Sequence, residues 1–136
     1  MKYAKFILMI LLGIVMLNSS NAESKKEKKV VVKQNSEISV YYFHFTRRCI
    51  TCNAVEKISK ELIKEKYESK NVKFFEYNLD EDTSKEIANK LKVSGQTLLV
   101  VKGKKKIDLT QKAFMYAKNE PDKLKKILIE TLNKLI

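Results

Sequence analysis

From Ile38 to Phe45 the chain is almost continuously apolar, with only Ser39 and His44 interrupting Ile, Val, Tyr, Tyr, Phe and Phe. A run of that length, rich in β-branched and aromatic residues, predicts a strand buried on both faces. From Ile50 the pattern changes period: Ile50, Ala54, Val55, Ile58, Leu62 and Ile63 recur at spacings of three and four, with Lys and Glu between them. This predicts an amphipathic helix running to about Tyr67 and released over Ser69 to Asn71.

A second strand is expected over Val72 to Leu79. Thr83 and Glu86 stand in capping-box spacing ahead of Ile87, Ala88 and Leu91, which predicts a short helix ending near Lys92. Gly95 separates it from a third strand, Thr97 to Val101. Lys102-Gly103-Lys104 then turns the chain back into Lys106-Ile107-Asp108-Leu109, an antiparallel hairpin. Thr110 to Ala117 reads as helix. Pro121 suits a first helical position and starts a last helix with the stripe Leu124, Ile127, Leu128, Thr131, Leu132 and Leu135.

This order predicts an α/β domain over residues 36–136: a mixed four-stranded sheet with a parallel first pair, an antiparallel hairpin and helices on both faces. A fifth, edge strand is possible at Val30-Val31-Val32. Residues 23–35 otherwise form a charged linker, beginning Glu23-Ser24-Lys25-Lys26-Glu27-Lys28-Lys29, whose composition predicts disorder.

Residues 1–22 read as a signal peptide. Lys2 and Lys5 precede an apolar stretch from Phe6 to Leu17, and Ser20-Asn21-Ala22 offers small residues for cleavage. The apolar run is shorter than the ~20 residues a spanning helix needs. Export, to a periplasmic setting, is expected, with membrane attachment only through an uncleaved signal segment.

The formal charge is +12, and without residues 1–22 it is 26 basic against 16 acidic residues, or +10. The basic residues are spread over every predicted element, without an Arg-rich arm or an aromatic platform. Nucleic-acid binding is therefore not expected, and a solvated basic surface is.

The two cysteines, Cys49 and Cys52, stand three positions apart at the junction of the first strand and first helix. An exported chain allows a disulfide to persist, but a bridge across two residues constrains little of the unfolded chain. Redox catalysis or ligand binding explains the pair better than a structural staple. Cys49 falls at the predicted helix N-terminus, where unpaired N–H groups and the helix dipole favour a thiolate. Arg47 and Arg48 add positive charge beside it. A Cys49 pKa within the ~3.5–7.5 range of activated thiols is expected, with Cys49 as nucleophile and Cys52, one turn on, as the resolving thiol.

A second reading makes Cys49 and Cys52 ligands for a soft ion such as Cu(I) or trivalent arsenic, with His44 or a second chain completing the site. A third is a redox-silent adaptor that docks a partner through its basic surface. His44 by default satisfies a core or edge position, and becomes a proton shuttle or third ligand only if it points at the cysteine turn.

The element order and the C-x-x-C turn resemble the thioredoxin superfamily, with a βαβ half at Ile38 to Leu79 and a ββα half at Thr97 to Ile136. The segments Tyr41-Tyr42-Phe43-His44-Phe45-Thr46-Arg47-Arg48-Cys49-Ile50-Thr51-Cys52, Val93-Ser94-Gly95-Gln96-Thr97-Leu98 and Asp108-Leu109-Thr110-Gln111-Lys112-Ala113-Phe114-Met115-Tyr116-Ala117 are similar to a family of small exported thioredoxin-like proteins named as a nitrophenyl compound nitroreductase subunit and linked to arsenic-related gene neighbourhoods.

The resemblance implies a thiol–disulfide oxidoreductase, a protein disulfide or dithiol partner and an electron donor or acceptor. It implies no bound cofactor, since no stretch of the chain suits a flavin. The cis-proline of ordinary thioredoxins falls at Gln96 or Thr97 here, and their buried acid, six positions before the first cysteine, falls at Phe43. Both departures point away from general disulfide reduction and toward one dedicated partner.

Overall fold

The structure, a computed structural model, describes residues 37–136. The signal segment, the charged linker and the edge strand expected at Val30-Val31-Val32 lie outside the described residues. Within them the order is β1 (Ile38–His44), α1 (Ile50–Lys66), β2 (Val72–Asn78), α2 (Asp82–Leu91), β3 (Thr97–Lys102), β4 (Lys105–Asp108), α3 (Thr110–Tyr116) and α4 (Pro121–Asn133). The sheet order is β2-β1-β3-β4. β1 and β2 are parallel, and the β1–β3 and β3–β4 pairs are antiparallel. This is the mixed four-stranded α/β architecture expected from the sequence.

Strand alternation divides the side chains of β1 between two faces. Ile38, Val40 and Tyr42 point to the first face, where they join Leu98 and Val100 of β3 in one core with α1, α3 and α4. The helices contribute Val55, Ile58, Leu62 and Ile63, then Ala113, then Leu124, Leu128 and Leu132. The Tyr67 hydroxyl donates to Asn133 Oδ1 at 2.9 Å and ties the end of α1 to α4.

The second face carries a row of rings. Tyr41 stacks on Phe75 at 5.3 Å between centroids, and Phe43 on Tyr77 at 5.5 Å. α2 serves this face: Tyr77 shares a cleft with Thr83 and Ile87, and Leu91 lines another with Thr97 and Leu99.

Two local details, at the start of α2 and of β4, differ from the sequence reading. Thr83 is not a cap: α2 begins at Asp82, with Glu81 as its N-cap residue and no side-chain cap bond. Glu81 Oε1 instead accepts from Asn78 Nδ2, so the chain enters the helix earlier than the Thr83–Glu86 spacing suggested. β4 starts at Lys105, directly after a two-residue turn. Gly103, with φ 57°, takes the first central position, where type II′ hairpins favour glycine. After Tyr67 a single 3-10 turn, Glu68–Lys70, ends on Asn71 in the left-handed region that asparagine tolerates.

Candidate active site

The cysteine turn follows from how β1 ends. Leu79 N–H donates to the His44 carbonyl at 2.7 Å, which extends the β1–β2 pairing by one bond. Beyond it, Thr46 N–H donates to Asp80 Oδ2 at 2.8 Å and Thr46 Oγ1 accepts from Asn78 Nδ2 at 3.0 Å. The backbone N–H and hydroxyl of Thr46 hold the Asp80 carboxyl below the usual carboxylate range. The loop Phe45–Arg48 is thus pinned to the start of the β2–α2 connection, and it delivers Cys49 to the N-cap of α1.

Cys49 and Cys52 form a disulfide, with their Cα atoms 5.0 Å apart. The N-cap geometry accounts for the pairing: Cys52 N–H donates to Cys49 Sγ at 3.1 Å, and Cys49 N–H donates to Cys52 Sγ at 3.1 Å. This is a capping box built from sulfur instead of oxygen. The two sulfurs differ in access, since Cys49 is exposed whereas Cys52 is 1% exposed. Between them Ile50 is 74% exposed, an apolar side chain on the surface beside the disulfide.

Under the turn lies a charged cluster. Arg48 donates Nε–H to His44 Nδ1 at 3.2 Å and pairs with Glu56 and with Glu76, the latter at 2.5 Å. His44 Nε2 lies 3.0 Å from Glu76 Oε1. His44 Nδ1 also lies 3.0 Å from the Phe45 carbonyl oxygen, so the ring is enclosed by Arg48, Glu76 and that carbonyl. Burial pulls the Glu76 carboxyl upward, but the hydrogen bond and charge of Arg48 outweigh it and the net pKa is lowered.

Tyr42 completes the site from the floor, its hydroxyl donating to the Cys52 carbonyl at 3.0 Å. Burial, partly offset by the Arg48 charge, pushes its pKa up to about 12, so it remains a donor at neutral pH. Phe43, which the count of six positions placed where thioredoxins carry an acid, points to the opposite face of the sheet. The side chain beneath the second cysteine is Tyr42.

Gln96 lies across from the disulfide on the segment that enters β3, with Oε1 3.3 Å from Cys52 Sγ. Thr97 turns away: its hydroxyl donates to the Gly95 carbonyl, and its strand position opposes Phe43. No cis peptide bond occurs among the described residues. Of the residues singled out in the sequence, then, Cys49, Cys52 and Gln96 meet at the sulfurs. Arg48 and His44 meet with Glu56 and Glu76, while Arg47 is exposed.

Sequence reasoning did not single out Tyr42, Glu56 or Glu76 for the site. Glu76 did carry a signal, as a carboxylate between Phe75 and Tyr77 in a strand rich in aromatic residues. Glu56 looked like any other polar position on α1. His44, the sequence's candidate third metal ligand, is turned toward Arg48 and Glu76. Among the described residues no group of three or more His, Cys, Asp or Glu side chains is arranged to hold an ion.

No protein-family model matches the chain, and no curated protein matches it in sequence. Its backbone does match solved structures. The germline-specific thioredoxin Deadhead of Drosophila melanogaster superposes with a TM-score of 0.50 over 75% of this chain and 84% of that one, at 18% identity. The fold is thioredoxin-like. Mitochondrial thioredoxin 3 of Saccharomyces cerevisiae, in its oxidized form, gives a TM-score of 0.40 at 24% identity, over 54% of this chain and 65% of that one. In the thioredoxin-like frame, the Cys49–Cys52 turn lies between β1 and α1, and Gln96 at the entry to the antiparallel hairpin.

Proposed function

We propose that this protein is a thiol–disulfide oxidoreductase, exported to the periplasm, with Cys49 as nucleophile and Cys52 as resolving thiol. The observation that carries the reading is the asymmetry of the pair. An exposed cysteine sits at the N-terminus of α1, bonded to a buried one.

In the reducing direction, the Cys49 thiolate attacks one sulfur of a partner disulfide. A new Cys49–partner S–S bond forms, and the other partner sulfur leaves as a thiolate. Cys52 then passes its proton to the partner thiolate released in that step and attacks Cys49 Sγ. The Cys49–Cys52 bond forms and the second partner thiolate departs, so two electrons have passed from the dithiol to the partner. The reverse sequence oxidises a partner dithiol. The thiolate of Cys49 is favoured by the Cys52 N–H that its sulfur caps and by the dipole of α1.

The partner is read as one dedicated protein, because Gln96 and Thr97 stand where a general disulfide reductase carries its proline. Membership of the exported family named for a nitrophenyl compound nitroreductase subunit belongs to the same proposal and is supported by the quoted motif segments. The basic surface is consistent with a docking role toward that partner.

Turnover of a small protein disulfide with a thiol reductant tests the reading. Cys49→Ser should abolish it, and Cys52→Ser should trap a mixed disulfide through Cys49. Stoichiometric uptake of Cu(I) or arsenite without turnover would instead support the soft-ion reading.

A further inference from the structure

We propose that the side-chain carbonyl of Gln96 is the hydrogen-bond acceptor for the Cys52 thiol in the reduced protein, and that it thereby poises the pair toward the dithiol. The inference deepens the exchange reading above and rests on it.

The geometry supplies two halves of the argument. Gln96 Oε1 sits 3.3 Å from Cys52 Sγ, and Cys52 is 1% exposed, so water does not reach that sulfur as an alternative acceptor. The only other polar contact to Cys52 Sγ among the described residues is the donated Cys49 N–H. A backbone donor on one side and an amide oxygen on the other define the electrostatics of the resolving sulfur.

Oxidation state changes the sign of the Gln96 contact. In the disulfide Cys52 Sγ has no proton, and the amide oxygen faces sulfur lone pairs. In the dithiol the S–H points at an acceptor it otherwise lacks. One oxygen therefore favours the reduced pair over the oxidised one. A neutral amide also cannot take the proton it holds. Resolution of a mixed disulfide then requires the Cys52 proton to pass to the partner thiolate released in the first step before Cys52 attacks Cys49 Sγ, which lengthens the life of the covalent complex with the partner.

A hydrogen bond of this kind contributes about 1 kcal/mol, or roughly fivefold in an equilibrium constant. For a two-electron couple that is about 20 mV, from 29.6 mV per tenfold. The test is the equilibrium of the full chain with a glutathione redox buffer, read by the fraction of Cys49–Cys52 disulfide, for the natural protein, Gln96→Ala and Gln96→Glu. Gln96→Ala should shift the pair about fivefold toward disulfide. Gln96→Glu, nearly isosteric and therefore informative if the alanine variant folds poorly, should shift it toward dithiol, because a carboxylate is a stronger acceptor and repels the disulfide lone pairs more.

A shift of Gln96→Ala toward dithiol would place the amide N–H, not the oxygen, on the sulfur and overturn the proposal. So would equilibria that stay within twofold in both variants, or that move in the same direction. A natural protein whose disulfide is never reduced and reformed in the buffer defeats the exchange reading itself. A reversible pair indifferent to Gln96 defeats only the role given to that residue.

Discussion

On one face of the sheet, Ile38, Val40, Tyr42, Leu98 and Val100 meet the aliphatic stripes of α1, α3 and α4. On the other, Tyr41, Phe43, Phe75 and Tyr77 stack in a row of rings with α2 alongside. The first face is a closed core in which most side chains touch several elements. The second is a single aromatic layer, with Phe43 fully buried and Tyr41, Phe75 and Tyr77 only half-buried. The chemistry gathers at one end of the first face, where Tyr42, Glu76 and His44 lie under the cysteine turn. Deep burial and the candidate site thus share a face, and the aromatic layer is left as structural backing.

The comparison can be broken by mutation. Leu128→Ala, at a fully buried position of α4, should cost about 3–4 kcal/mol, since the surrounding helices cannot all collapse into the void. Urea denaturation followed by circular dichroism would measure it. Phe43→Leu, on the aromatic face, should cost less, about 1–1.5 kcal/mol, because leucine keeps most of the apolar volume at this buried position and its half-buried neighbours Tyr41 and Tyr77 can repack. Equal losses from the two substitutions would show that the faces contribute alike.

Tyr42→Phe sharpens the link between core and site. It removes one hydrogen bond to the Cys52 carbonyl without opening a cavity. About 1 kcal/mol of stability should be lost, read by the same denaturation, while the disulfide still forms.

The smallest effect is a change of slope with pH. Glu76 has a folded-state pKa below its ordinary value of 4.5 because of Arg48. The stability it contributes is therefore present above that ordinary value and is lost as pH falls through the lower, folded value. Thermal melts between pH 6 and 3 should show a drop that is shallower in Glu76→Gln. Melts of both proteins that fall in parallel would remove Glu76 from the account.

Much of this was legible in the sequence because it rests on local periodicity. The eight-residue apolar run at Ile38 and the three-and-four spacing after Ile50 become β1 and α1 with small boundary shifts, since each pattern suits only one backbone period. Pro121 marks the first residue of α4 and Gly103 the turn before β4, because their backbone preferences are intrinsic. The cap of α2 was misread for a matching reason. Capping-box spacing is only a two-residue pattern, and the carboxylate that could cap was engaged by Asn78 instead.

The site was legible only in its sulfurs. Counting back from Cys49 led to Phe43, but a strand sends alternate residues to opposite faces. Which one lies beneath Cys52 depends on how the loop Phe45–Arg48 leaves β1, and that loop is held by Asp80 and Asn78, more than thirty residues away in sequence. The partners of Arg48 are equally non-local, with Glu56 supplied by α1 and Glu76 by β2.

By itself, then, the sequence determined the order and period of the elements and the C-x-x-C pair at a helix N-terminus, because these depend on neighbours within a few residues. Only the tertiary structure decided that Arg48 is held by Glu56 and Glu76, that Tyr42 lies under Cys52, and that Gln96 meets the buried sulfur. Those contacts join side chains from separate strands and helices, and no spacing along one chain specifies which of them the packing of the sheet will bring within hydrogen-bond reach.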